Sequence, residues 1–508
     1  MNFAIFLDIK ARSHPHELAV ADHRLRLTWS ELNQFTDQFA NFLKDHQLGA
    51  SHRISFLLPN RVEHVIAILG CMKAGVVGVP LNWRLAGEEL RKVVTHCDAS
   101  FLITTQSRSQ EILAFKTPVS MLTVEEEKQH GSFWKTIERY PSTFVTRGCQ
   151  SHDVANLLYT SGTTSTPKSA IHTHGMRLSI AASMADCFQL SSKDIALAVS
   201  PLFHTSGLSV FSNALLVGCP LILLEKWDLR AFVELIAKER ITFMHLIGTL
   251  LIDIANAPED MFQPLEGKRC MRFTWGGGHL INPEHFLAFE KRIGGVFSLG
   301  YARTEGGLSY NPIDLQLRGF DNNGLPNKNS SELAILHLQT HTHEPQGVIG
   351  EICFRGDGLS PGYWDGKYIR YMPLYDGGWH PTGDLGYIDE QQRLHFLGRD
   401  DNMIKSGGEN VFPDEVAAVL LSIPQITDAV VLGIPNERMG ATVAALVVCS
   451  DPSFSEKDID TACRAALASY KIPRHIIFTD ALPKLGSGKI DLTQCKQYFP
   501  DKSNFSAT

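Results

Sequence analysis

Five short, mainly apolar runs at residues 54–58, 76–79, 195–199, 220–224 and 241–246 lack the strict polar alternation of a half-solvated strand. Strands that read this way are buried on both faces, the situation of a parallel sheet covered by helices on either side. Helical patterns separate them. Thr28 and Glu31 form a capping box, Leu32, Phe35, Phe39 and Phe42 follow at helical spacing, and Gly49 ends that run. A second helix is predicted over residues 62–74, stopping at Gly75. Strand and helix in alternation imply parallel sheets with crossover helices.

From residue 333 the texture changes. Short strands at 333–338 and 350–355, with Pro345-Gln346-Gly347 between them, predict a small antiparallel subdomain. After Asp401 the chain restarts as an α+β unit, with a helix from Asp414, strands at 429–434 and 442–448, a helix over 457–468 and a strand at 476–479. The 508 residues therefore divide into an α/β N-terminal domain (1–400), made of parallel sheets plus a β subdomain, and a smaller mobile α+β C-terminal domain (401–508).

Hydrophobic content of 44% and charged content of 20% describe an ordinary globular chain, and 47 Lys and Arg against 54 Asp and Glu give a net charge of −7. That balance argues against nucleic acid or an anionic membrane as partner. Ten cysteines contain no C-x-x-C pair, and Cys71, Cys219, Cys353 and Cys449 stand in apolar company, as reduced core thiols of a cytoplasmic protein do. The longest apolar run, 214–224, is broken by Gly218-Cys219-Pro220 and too short to span a bilayer. The first residues have no basic region, so a secretory signal is not expected.

Chemistry concentrates in Tyr159-Thr160-Ser161-Gly162-Thr163-Thr164-Ser165-Thr166-Pro167-Lys168-Ser169, which follows a strand-like stretch at 155–159. Hydroxyls and backbone N–H groups can donate to phosphate oxygens, Gly162 permits close approach, and Lys168 supplies a charge. A Ser/Thr-rich surface turn is the plain alternative, but it needs neither the lysine nor the strand. Pro167 stands where a phosphate loop of the G-x-x-x-x-G-K-[ST] type needs glycine, and its missing N–H argues against that class. Thr274-Trp275-Gly276-Gly277-Gly278 implies a close approach by something flat or bulky, since three glycines together cost much backbone entropy. In Tyr301-Ala302-Arg303-Thr304-Glu305 the glutamate is a hard oxygen ligand suited to Mg²⁺, although a surface turn explains that spacing equally well.

The hydroxyl tract resembles the signature loop of the adenylate-forming superfamily, the acyl-CoA and aryl-CoA synthetases and their relatives, whose pattern is Tyr-Thr-Ser-Gly-Thr-Thr-Gly-x-Pro-Lys-Gly. The chain departs from it at Ser165 and Ser169. Five further motifs follow in the superfamily's order. The resemblance implies ATP, Mg²⁺ and coenzyme A as cofactors and a carboxylic acid as the other substrate. It places Thr160, Ser161, Gly162, Thr163, Thr164 and Lys168 on phosphates, and His204 of Pro201-Leu202-Phe203-His204 beside the carboxylate. Gly276, Gly277, Gly278 and Tyr301 fall on the adenine side, with Thr304 on the α-phosphate and Glu305 on the metal. Ala302 replaces a usual glycine. Asp384 and Arg399 fall on the ribose, Asp401 on the hinge, and Gly407 and Gly408 on the coenzyme A side. Lys489 of Gly486-Ser487-Gly488-Lys489 falls on the adenylation lysine, with Leu485 where threonine is common. Met244 and Trp275 fall in the acyl pocket, and the indole suggests a short-to-medium aliphatic or single-ring aromatic acid rather than a long fatty acid or an amino acid. Two alternatives stay open: loading of a carrier-protein phosphopantetheine, and a nucleotide-binding protein without turnover. A homodimer is compatible with the resemblance.

Overall fold

The computed structural model describes the chain apart from residues 116–118, 126–130, 161–167, 278–282, 313, 315–318, 321, 328, 437, 485–489 and 500–508. Two large sheets share one core. In the first, strands Ser120–Val124, Phe101–Thr105, Arg53–Leu57, Val77–Pro80 and Val154–Tyr159 run parallel. The sheet then turns antiparallel through Ser169–Thr173, Gly362–Trp364 and Ile369–Tyr371. In the second, Val296–Leu299, Phe273–Gly277, Phe243–Ile247, Ala196–Ala198, Leu221–Leu223 and Leu18–Ala21 are parallel and Arg26–Thr28 closes the edge antiparallel.

The predicted alternation of strand and helix is therefore present, but the sheets are mixed. The shared core joins Ile54, Phe56, Ala155 and Leu158 of the first sheet to Ala198, Phe243 and Phe273 of the second, with helices Trp29–Asp45 and Val62–Ala74 among them. Helix Val62–Ala74 has the predicted bounds and every one of its residues is buried. Its two charged ends are partnered: Glu63 accepts from Arg24 at 2.6 Å, and Lys73 meets Asp8 and Asp37, each at 2.6 Å. Gly75 takes the left-handed position at its C-terminus. The capping box of Thr28 and Glu31 forms as expected, but the helix ends at Asp45 and Gln47, not Gly49, adopts positive φ (56°).

Glu332–Leu336, Gly350–Arg355, His380–Ile388 and Leu394–Arg399 make the antiparallel four-stranded sheet of the subdomain. A 3₁₀ turn, Asp400–Asn402, leads from its last strand to a separate sheet of Glu409–Val411, Ile404–Ser406, Gly440–Cys449, Ile426–Asn436 and His475–Phe478. The described cysteines are all free; Cys71, Cys219 and Cys353 are buried as expected, whereas Cys449 is half-buried at a strand end. Among the described residues no helix is long and apolar enough to cross a membrane.

Candidate active site

Residues Ser161, Gly162, Thr163 and Thr164 of the hydroxyl tract, together with Gly278 and Lys489, lie outside the described residues. The neck of the tract is described. The lead-in strand Val154–Tyr159 and the lead-out strand Ser169–Thr173 pair antiparallel, and the Thr160 amide donates to the Lys168 carbonyl at 3.1 Å. Ser169 pairs with Tyr159 on one side and Trp364 on the other, so its extra Cβ belongs to the sheet and not to the loop. Lys168 is exposed.

The lead-out strand also docks the turn that carries Thr304 and Glu305. The ring of buried His172 contacts the Thr304 carbonyl through Nε2 at 2.7 Å and the Arg177 guanidinium through Nδ1 at 3.0 Å. Burial, and secondarily Arg177, lowers the His172 pKa to about 3, so the ring is neutral. Tyr363, opposite Ala170 of the same strand, donates its hydroxyl to Glu305, whose other oxygen lies 3.6 Å from Arg303.

Asp384 and Arg399 face each other across two strands of the subdomain. The Tyr301 hydroxyl donates to Asp384 at 2.5 Å, Arg399 Nη1 lies 3.4 Å from the other carboxylate oxygen, and Arg399 Nε donates to Asp401 at 3.1 Å. Burial raises the pKa of Asp384, against the opposing pull of Tyr301 and Arg399. The Tyr301 ring is buried, stacks on Phe354 and tilts against Phe396, each at 5.8 Å, and its hydroxyl is committed to Asp384. Gly407 and Gly408, with φ of 60° and 89°, form the turn between Ile404–Ser406 and Glu409–Val411, where both central residues need the left-handed region.

His204 stands at the N-cap position of helix Thr205–Val217 without a side-chain capping bond, its ring 4.6 Å from Phe203. The glycines of 276–277 have a structural cause: a Cβ on Gly276 would stand 2.1 Å from the Leu246 carbonyl, and one on Gly277 2.9 Å from that of Gly300. What comes close there is neighbouring backbone. Trp275 and His245 are in register and share a face, their rings 5.0 Å apart. Met244 is on the opposite face, packed in a second core with Leu197, Ile254 and Phe289. The expected pairing of Met244 with Trp275 in one pocket is thus corrected by the two-residue period of the strand. His245 is the residue beside the indole; burial lowers its pKa to about 3.

The AMP-binding enzyme family matches residues 7–364, and its C-terminal domain matches residues 415–489. The chain belongs to this AMP-binding family. It is 31% identical to a feruloyl-CoA synthase of Amycolatopsis sp, covering 95% of this chain and 96% of that one. It is 28% identical to a long-chain-fatty-acid–CoA ligase of Mycobacterium tuberculosis, covering 94% and 93%. Its structure matches that of the O-succinylbenzoate coenzyme A synthetase of Bacillus subtilis in complex with ATP and magnesium ion, with a TM-score of 0.82 and 26% identity over 97% of this chain and 99% of that one.

As an AMP-binding enzyme the chain is an acid–thiol ligase that uses ATP, Mg²⁺ and coenzyme A. The residues fit the metal in a particular way. Among the described residues no group of three or more metal-ligating side chains exists. A hexacoordinate Mg²⁺ held by one carboxylate, nucleotide phosphates and water needs no such cage, and Glu305 retains free lone pairs beside its bonds to Tyr363 and Arg303. Sequence reasoning missed His172, Arg177, Tyr363 and His245. The His172-Thr173-His174 repeat was the available signal for the first, and strand parity for the last.

Proposed function

We propose that this AMP-binding enzyme joins a short-to-medium aliphatic or single-ring aromatic carboxylic acid to free coenzyme A by way of an acyl-adenylate. The carboxylate attacks the α-phosphate of ATP, pyrophosphate leaves, and the thiol then displaces AMP. Cations and positioned donors stabilise the charge spread over the phosphate oxygens in the first step. Lys489, Lys168, the hydroxyls of Thr160, Ser161, Thr163 and Thr164, the Thr304 hydroxyl and Glu305 through Mg²⁺ take that role in this reading. Asp384 and Arg399 hold the ribose, Gly276, Gly277, Gly278 and Tyr301 border the adenine, and His204 stands by the carboxylate. Asp401 is the hinge between residues 1–400 and 401–508, and Gly407 and Gly408 turn toward coenzyme A in the second step.

The observation that carries the substrate class is Trp275. Its indole is 7% exposed and wedged over Gly300, where a Cβ would meet the indole Nε1 at 2.6 Å. An indole in this place fills volume that a long chain would need. The feruloyl-CoA relative supports an aromatic acid, while the long-chain ligase points to a longer one. AMP release measured over a panel of acids decides between them. The parent should prefer acids of up to about ten carbons or one ring, and Trp275→Ala should extend that range. Palmitate as best substrate, or an unchanged length preference in Trp275→Ala, would refute the reading. Ten free thiols among the described residues suit the reducing cytoplasm, where we place the enzyme. A homodimer is the assembly we expect, and a molar mass by light scattering at twice the chain mass would support it.

A further inference from the structure

We propose that His172 is a positioning residue for adenylation: oriented by Arg177, its ring ties the Thr304 carbonyl to the strand leaving the hydroxyl tract and so sets where Thr304 and Glu305 stand. The inference rests on the reading of Thr304 and Glu305 as adenylation residues.

The direction of each hydrogen bond is fixed by elementary chemistry. A guanidinium only donates, so His172 Nδ1, 3.0 Å from Arg177 Nη2, must accept. In a neutral ring the hydrogen is then on Nε2, which donates to the Thr304 carbonyl at 2.7 Å. Arg177 is itself held on two other sides: Nε donates to Asn156 of the lead-in strand at 3.1 Å, and Nη1 to Ser212 of helix Thr205–Val217 at 3.3 Å. One guanidinium therefore bonds to the strand before the tract, to the helix behind His204 and, through His172, to the Thr304 turn. All of Arg177's hydrogen bonds go to uncharged groups, and it is 4% exposed. A buried charge of this kind is costly where packing alone is wanted. Its geometry has a use if it fixes one tautomer and one orientation of the ring. Glu305 is tied to the same strand separately, through Tyr363.

The test uses the full chain and measures acid-dependent ATP–pyrophosphate exchange beside thioester formation from synthetic acyl-adenylate. His172→Phe fills the volume and makes neither bond. It should cut kcat for exchange by roughly 10²-fold, the scale of a small misplacement at a reacting centre, with KM for the acid and thioester formation nearly unchanged. His172→Gln can accept from Arg177 and donate to Thr304, and should restore most of the loss. Should the Phe variant fail to fold, Arg177→Met, which leaves the ring but frees its tautomer, should show the same selective loss at about 10-fold. Exchange at the parent rate in His172→Phe or Arg177→Met, a Gln variant no better than Phe, or equal loss of both half-reactions would overturn the proposal. Thr304→Ala separates the two levels. If it keeps full exchange, the reading of Thr304 fails; if it loses exchange while His172→Phe keeps it, only the role of His172 fails.

Discussion

Asp384 is a buried carboxylate held by the Tyr301 phenol on one oxygen and approached by Arg399 on the other. Burial also raises the pKa of Tyr301 far above the usual tyrosine range, so its hydroxyl stays protonated and donates. A hydrogen bond to a charged, buried acceptor contributes about 1.5–3 kcal/mol. Tyr301→Phe should therefore raise KM for ATP by about 10-fold or more while leaving KM for the acid in place, as measured by initial rates; equal changes in both would remove Asp384 from the ribose. Lys489→Ala should reduce acyl-adenylate formation by roughly 10²-fold, the scale of one lost transition-state contact, and spare thioester formation from preformed acyl-adenylate. Loss of both half-reactions in parallel would sink that role. Asp384, Arg399, Thr304 and Glu305 were legible as members of local motifs. Their partners were not, because contact between Glu305 and Tyr363 spans 58 residues and follows from sheet pairing alone. Met244 shows the complementary failure: without the parity of its strand, it was put on the same face as Trp275.

Elements with a local cause were legible at nearly residue precision. Val62–Ala74 has its apolar run and Gly75, the helix from Trp29 has its capping box, and Gly350–Arg355 has its flanking turns. The antiparallel turn of the first sheet at Ser169–Thr173 had no such signal, because pairing direction is decided by what lies on the other side of the loop. The 3₁₀ turn Asp400–Asn402 separates strands of two sheets, and Arg399 bridges it by bonding to both Asp384 and Asp401. A hinge there must rotate the backbone of Asp401. Proline holds φ near the value of a 3₁₀ turn, so residue 401 can no longer turn about that bond. Asp401→Pro should thus keep pyrophosphate exchange and lose thioester formation by about 10-fold or more, since a domain movement that turns φ of residue 401 is blocked. Asp401→Ala, which removes only the bond to Arg399, should keep both. Thioester formation at the parent rate in the proline variant would put the hinge elsewhere.

At the scale of the whole molecule, four histidines buried among the described residues make folding depend on pH. Burial lowers the pKa of His64 and His174 to about 4 and of His172 and His245 to about 3. His174 is also committed to accepting, since its Nδ1 takes the Phe3 amide at 3.1 Å. In the unfolded chain each would titrate near its ordinary value of about 6.5. Below that pH the unfolded state binds protons that the folded state refuses, so stability is fully present above about pH 6.5 and falls as the pH drops toward the folded values. Each such histidine adds a slope of roughly 1.4 kcal/mol per pH unit within its window. The buried acids Asp37, Glu63 and Asp384 act with the opposite sign, because burial raises their pKa, and they flatten the lower end of the window. Urea unfolding should therefore show stability level between pH 7 and 8 and falling steeply from pH 6.5 to 5. His64→Asn and His174→Asn, compared with the parent over the same range, should each remove about one histidine's share of that slope. A parent curve flat from pH 7 to 5, or a slope that neither substitution changes, would mean that these rings take up protons without unfolding.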